Sequence, residues 1–322
     1  MATFSPLTLA EAAKLSTDDL QRGVLETFVQ ESSVLDRLPF LTIQGNAYAY
    51  NEEASLSQVQ FRNVNEAYDS TTGTVVQRSE KLVILGGDAD VDRFIVQTRG
   101  NLNDQRALQT RMKVKAASYF YQDKFINGDV AVDPKGFDGL KKRLTGSQVI
   151  SAGTNGIPVL GNGTTDPHTF FDKLDDLLAA VPGLNASNGA IYAPRAVIAK
   201  IRSAGRRVGG VDTIREDMTG KRVVTWNGIS MLDLGQTAAG TDILPMTETQ
   251  GSSSVAGSIY AVKFGNAEGD RAVTGLTNGG VQVRDLGELD TMPVYRTRLE
   301  FYTGLATFGG KAAARLTGVL GS

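Results

Sequence analysis

Four places in this 322-residue sequence carry side chains of the kind that do chemistry. His168 is the only histidine, and the chain has no cysteine, so nothing completes a zinc site or a nucleophilic dyad around it. Set after Pro167 at the expected start of a helix, it reads as a capping or surface residue. Asp88, Asp90 and Asp92 repeat at the spacing that opens a calcium loop. Arg93 stands where that loop needs glycine, however, and Arg99 where it needs a bidentate glutamate. Gly156 to Gly163 has the spacing of a phosphate loop without its lysine. Asp172, Asp175 and Asp176 fall on one helix and could serve as hydrolytic carboxylates, but a polar helix face accounts for them more simply. The expectation is a chain with no catalytic residue, metal ligand or cofactor.

The elements that would have to position such groups point elsewhere. A hydrophobic content of 41% suits a globular chain of about two domains. Lysine plus arginine (33) nearly balances aspartate plus glutamate (35), so no overall basic field exists to hold nucleic acid, and contact with DNA should be weak and non-specific. Without cysteine, neither disulfides nor thiolate metal sites are available. No positively charged start precedes an apolar run and no stretch of eighteen apolar residues occurs, so a soluble, unexported protein without a membrane span is expected.

Along the chain, Leu9 to Leu15 and Leu20 to Gln30 suggest two short helices, stopped by Leu38-Pro39-Phe40. From Leu41 to Glu80 the sequence is polar-leaning and extended. Gln58-Val59-Gln60-Phe61-Arg62 alternates like a half-buried strand, and a similar alternation runs from Val76 to Ile84. Two arms of about 20 residues could reach about 60 Å, more than one compact domain needs for a hairpin. A flap that cannot bury itself is most simply buried against a neighbour, as in an assembly subunit.

A strand over Val91–Thr98 is expected next. It leads to a long helix from Asn103 to Ile126, with Leu108, Met112, Ala116, Tyr119 or Phe120, and Ile126 as its apolar stripe. Gly136-Phe137-Asp138-Gly139-Leu140 is a turn, and Gly153 to Asp166 a loop. Helices follow from Pro167 to Val181 and from Pro194 to Ser203-Ala204-Gly205, with Arg206–Arg222 mobile by composition. Strands are expected at 190–192, 223–226, 229–234, 243–245 and 259–264, forming a mixed sheet flanked by helices. Tyr295 to Tyr302 alternates most clearly, and Ala312 to Val319 resumes after Gly309-Gly310. The chain is expected to end in the domain that holds the long helix.

This order of arm, long hairpin loop, helix ending in Phe125-Ile126-Asn127-Gly128-Asp129, the Gly136 to Leu140 turn, an inserted α/β region and the closing Tyr295-Arg296-Thr297-Arg298-Leu299-Glu300-Phe301-Tyr302 strand resembles the major capsid proteins of tailed bacteriophages. The resemblance spans almost the whole chain and rests on order more than on any short motif. It implies an α+β fold of tailed-phage and herpesvirus type: an arm (1–40), an extended loop (41–80), a discontinuous peripheral domain (81–140 and 276–322) and an axial domain (141–275). The tip of the axial domain would be the loop from Gly205 to Lys221.

The implied function is self-assembly, as pentamers and hexamers, into an icosahedral virion shell around double-stranded DNA. A portal and a separate scaffolding protein would be partners, and a decoration protein could be a further one. Contacts between subunits are expected from Glu52, Glu53 or Glu66 to Arg62, Arg78, Arg296 or Arg298. No lysine lies between Lys14 and Lys81, so the isopeptide crosslink that some such shells form from this loop is not expected. A cellular nanocompartment shell and a carboxylate hydrolase are the alternatives from other classes.

Overall fold

The computed structural model describes residues 32–99, 105–161, 167–208, 214–216 and 222–321. The expected arm helices, the expected start of the long helix at Asn103, and most of the Gly205–Lys221 loop lie outside these residues.

Two sheets and a ribbon organise the chain. A four-stranded sheet has the order β1 (Phe40–Thr42), β13 (Val273–Leu289), β14 (Met292–Thr307), β4 (Val83–Asp92). A nine-stranded sheet runs β5 (Val149–Ser151), β15 (Ala313–Leu320), β12 (Ser253–Lys263), β7 (Gly189–Tyr192), β10 (Ile229–Leu232), β9 (Arg222–Trp226), β8 (Ile214–Glu216), with β6 (Ile157–Pro158) on β15 and β11 (Glu248–Gln250) on β12. The ribbon is β2 (Ala47–Ser55) paired antiparallel with β3 (Thr74–Lys81). Helices Pro167–Ala179 and Arg195–Val208 cover one face of the larger sheet through Phe170, Leu174, Leu177, Val197 and Ile201. Its other face joins the core of the long helix, Gln105–Asn127, through Tyr192, Tyr260 and Val262. This is the α+β class expected.

The long helix is turned differently from the expectation. Its buried row is Thr110, Val114, Ser118, Tyr121 and Phe125, spaced at three and four residues, and it packs on Phe301 and Phe137. Leu108, Met112 and Phe120, placed in the expected core stripe, are exposed. Both rows have helical period, and apolarity alone cannot choose between them. The small and polar Ser118 and Thr110 lie inward, and the Thr110 hydroxyl donates to the Arg106 carbonyl at 2.9 Å.

Other elements shift for local reasons. The strand expected to Thr98 ends at Asp92, whose carboxylate accepts the Phe94 N–H at 2.7 Å and so caps a helix over Arg93–Arg99. Gln58–Arg62 is not a strand, since among the described residues no neighbouring strand pairs with it. The alternation from Val76 divides at Leu82 into β3 and β4. The second helix of the inserted region passes Gly205 to reach Val208, and the expected mobile stretch contains β8, paired with β9. Residues 243 and 244 form a bend, and no strand runs over 243–245. The seventeen-residue β13 was not read from the sequence, because Gly279-Gly280 and Gly287, all at positive φ, open register shifts that interrupt its alternation. Finally, β15 pairs with β12 in the nine-stranded sheet, and its Ala313 lies in the same core as Val114, Tyr121 and Phe125 of the long helix.

Candidate inter-subunit interface

The ribbon is rigid at its root and bare at its tip. Tyr50 is buried with its ring edge-on to Phe308 at 4.9 Å, and its hydroxyl donates to the Thr307 carbonyl at 3.2 Å. Tyr48 donates to Glu268 Oε1 at 2.6 Å, a bond to a carboxylate that pushes the phenol up to about 12. On the facing strand Glu80 receives a forked bond from Arg143, with Nη2 to Oε2 at 2.8 Å, and both side chains are largely covered. Ile43, Leu276, Ala306 and Phe308 complete a small apolar core beneath these groups. The alternating tyrosines of Ala47-Tyr48-Ala49-Tyr50 put aromatic rings where the ribbon leaves the body, and these hold its angle.

Beyond the root the ribbon is held by its own ladder, the Glu52–Arg78 ion pair, the Ser55–Thr74 hydroxyl pair at 2.7 Å and the Gln58 N–H donating to the Thr71 hydroxyl at 2.9 Å. Residues 56–73 then form no strand. Val59 is 99% and Phe61 106% exposed, and Leu56, Val64 and Tyr68 are also open to solvent. Burying Val59 and Phe61 would contribute about 1.5–3 kcal/mol each. A run of large apolar side chains on a projecting loop marks an interaction surface.

The contact residues expected from sequence are placed as follows. Glu52 and Arg78 bind each other. Arg62 donates to the Asn63 and Glu66 carbonyls, both at 3.3 Å, and lies over the Tyr68 ring, while Glu66 accepts the Asn63 N–H at 2.9 Å. Both belong to a local turn of the tip. Glu53 pairs through its backbone with Val75, and its side chain lies outside the described part. Arg296 forks onto Asp90 at 2.7 and 2.6 Å, and Arg298 onto Asp88 at 2.8 and 3.0 Å. These four residues face one another directly across β4 and β14.

Asp88 and Asp90 therefore find their use as cross-strand partners of arginine. The signal was present in the sequence as two runs of period two and opposite sign. Bonding to Arg298 holds the Asp88 carboxyl below its ordinary value, and bonding to Arg296 does the same for Asp90. A carboxylate lowered on folding stabilises the native state above its unfolded pKa, and that contribution is lost as pH falls through the folded value. The double variant Asp88→Asn, Asp90→Asn is therefore expected to melt below the parent at pH 7, with the gap closing as the pH falls below the ordinary carboxylate range. A gap in thermal melts that does not change with pH would show that the pairs contribute nothing.

The residues considered for chemistry are occupied otherwise. Asp175 accepts from Trp226 Nε1 at 2.8 Å and Asp176 pairs with Lys173, so the three aspartates do not converge on a pocket. His168 lies exposed on the first turn of its helix. Among the described residues no cluster of histidine and carboxylates is arranged to hold a metal ion, and none of the helices is long and apolar enough to cross a membrane.

Comparison with known proteins follows the same line. Residues 16–166 match the family model of "Major capsid protein GP7". The chain superposes on the SrpI encapsulin of Synechococcus elongatus PCC 7942 with a TM-score of 0.65 and 17% identity, covering 100% of this chain and 98% of that one. It superposes on the capsid of a native GTA particle with a TM-score of 0.61 and 11% identity, covering 90% of each. For a capsid chain of Microbacterium phage Oxtober96 the TM-score is 0.56 and the identity 11%, covering 88% of this chain and 90% of that one. No curated protein sequence matches significantly.

Proposed function

We infer that this chain is a major capsid protein, the self-assembling subunit of a phage-type shell, because 90% of it superposes on a capsid chain and residues 16–166 match the capsid family. One observation of its own surface carries the reading furthest: a ribbon clamped at Tyr48, Tyr50 and Glu80 holds Val59 and Phe61 out in water, as a surface that another molecule would cover. The family is one of structural proteins, and nothing in the described site calls for catalysis.

The finer reading is that pentamers and hexamers of this subunit close an icosahedral virion around double-stranded DNA, assembled in the host cytoplasm. A ring of heterologous contacts closes only at the right rotation, so one sequence must adapt to two ring sizes. The domain limits proposed are 81–140 with 276–322 for the peripheral part and 141–275 for the axial part, with β15 crossing to the axial sheet. A portal, a separate scaffolding protein and a decoration protein are the proposed partners, and near-neutral charge leaves contact with packaged DNA weak. Of the contact candidates, Glu53, Arg62 and Glu66 lie on the loop that would drape a neighbour. Glu52, Arg78, Arg296 and Arg298 would have to share or exchange their present partners.

The similarity to an encapsulin supports a second reading, a nanocompartment shell. Negative-stain microscopy of the purified protein tests the first. Round shells tens of nanometres across, or flat capsomers, are expected. A lone 34.3 kDa species at every concentration would overturn both shell readings. Shells boiled in detergent should run as monomer on a denaturing gel, because the loop has no lysine to crosslink. A covalent ladder would refute that expectation.

A further inference from the structure

Three consecutive cations, Lys141, Lys142 and Arg143, occupy a single helical turn, Leu140–Arg143, at the proposed boundary between the peripheral and axial parts. Each binds a carboxylate on a different element. Lys141 Nζ donates to Glu248 Oε1 of β11 at 3.1 Å, and Lys142 Nζ to Asp129 Oδ2, just past the long helix, at 3.2 Å. Arg143 forks onto Glu80 of β3 at 2.5 and 2.8 Å. Residues two apart on a helix project about 200° from one another, so Lys141 and Arg143 reach to opposite sides of the turn. The turn itself is seated on the end of the long helix. Leu140 is fully buried, and the Gly139 N–H donates to the Gly128 carbonyl at 2.9 Å.

Strand β11 belongs to the nine-stranded sheet and β3 to the ribbon, and among the described residues no strand pairing joins the two. On the sheet side Arg315 Nη2 of β15 donates to Glu248 Oε1 at 2.8 Å and the Ser258 hydroxyl of β12 donates to its Oε2, so Glu248 moves with these strands. On the ribbon side Glu80 stands directly opposite Tyr48, whose hydroxyl binds Glu268 on the connection leaving β12. This rung is gripped on both strands. Each grip leads back to the nine-stranded sheet, one through Glu268 and the other through Arg143, the turn, Lys141 and Glu248. We propose that Lys141 and Glu248 are positioning residues for the ribbon, making its pitch follow the tilt of the nine-stranded sheet. The proposal deepens the shell reading and rests on it. A subunit that enters rings of two sizes must lean its sheet differently in each, and a rigid turn bonded at both ends passes that lean to the ribbon.

The Lys141 side chain is 44% exposed, so removing its charge changes overall stability little. Lys141→Met and Lys141→Gln cut the bond to Glu248, while Lys141→Arg keeps it. Hydrogen exchange of the unassembled subunits is followed at the ribbon root, Tyr48–Tyr50 and Arg78–Glu80, and negative-stain microscopy gives the shell diameters. Both cutting variants are expected to exchange at least about threefold faster than the parent at the root alone. Their shells are expected to spread more widely in diameter, and Lys141→Arg to match the parent in both measurements. Root exchange at the parental rate would overturn the proposal and leave the shell reading intact. Faster exchange throughout the subunit would also overturn it, because the pair would then be merely structural. Faster root exchange with shells of parental diameter would overturn the link to assembly, and a parent chain that forms no shells would overturn the shell reading itself.

Discussion

Replacing residues 56–73 by an Asn-Gly turn between Ser55 and Thr74 is expected to leave the subunit folded and to abolish shells. The two strands already face each other at Ser55 and Thr74, so a two-residue turn of that type closes them with the twist of the ribbon. The removed side chains touch little of the body: Val59 and Phe61 are fully exposed, and surface changes of this kind shift stability by about 0.5 kcal/mol or less. The same residues would be the buried ones in an assembly, where losing Val59 and Phe61 removes about 3–6 kcal/mol per contact. A lattice repeats that contact at every subunit, so no shell should form at any practical concentration. Thermal melting and sedimentation together check this. An unchanged melting temperature with normal shells would show that the tip is not an assembly element, and a large loss of melting temperature would show that it is part of the subunit's own core.

The second large effect is expected from Gly139→Ala. The long helix ends where its last turn meets the returning chain, and the Gly139 N–H donates to the Gly128 carbonyl at 2.9 Å. A methyl group on Gly139 would meet the Lys124 and Ile126 carbonyl oxygens at 2.5 and 2.6 Å and the Gly128 nitrogen at 2.7 Å. All three are backbone atoms, so no side chain can swing aside. Gly128 is equally confined, with the Phe137 carbonyl 2.4 Å from where its Cβ would sit. Overpacking commonly costs about 1–3 kcal/mol, and backbone against backbone belongs at or above the top of that range. Chemical denaturation should show a loss of about 3 kcal/mol or more, or no soluble protein. Gly136→Ala, whose new methyl would lie 3.4 Å from its nearest neighbour, serves as the mild control. Equal stability of the Gly139 and Gly136 variants would mean that the crossing relaxes freely.

Much of this was legible in the residues. The long helix, the helix after Pro167, the strand around Ile191 and the alternating Tyr295–Tyr302 segment all carry their period openly, and the loop betrayed itself by having too little apolar content to make a core. The glycines at 128 and 139 were visible as turn signals, but their closeness was not, because it arises between two segments that meet only at the helix end. β13 was hidden by glycines that interrupt its alternation in the sequence and merely bend it in the sheet. The outward placement of Leu108, Met112 and Phe120 was hidden for the opposite reason: their period is flawless, and the choice between two helix faces belongs to whatever packs there.

The sequence by itself determined the class, much of the order of elements, and the presence of a segment with too little apolar content to make a core of its own. These follow from composition and period, which are local. Tertiary structure alone decided which face of the long helix turns inward, that Asp88 and Asp90 stand opposite Arg298 and Arg296, that β15 crosses into the larger sheet, and that an open edge lies beside a lysine-rimmed groove. Each of these brings together residues from a few tens to about 210 positions apart, and strand register over such distances is set by the packing of the whole domain.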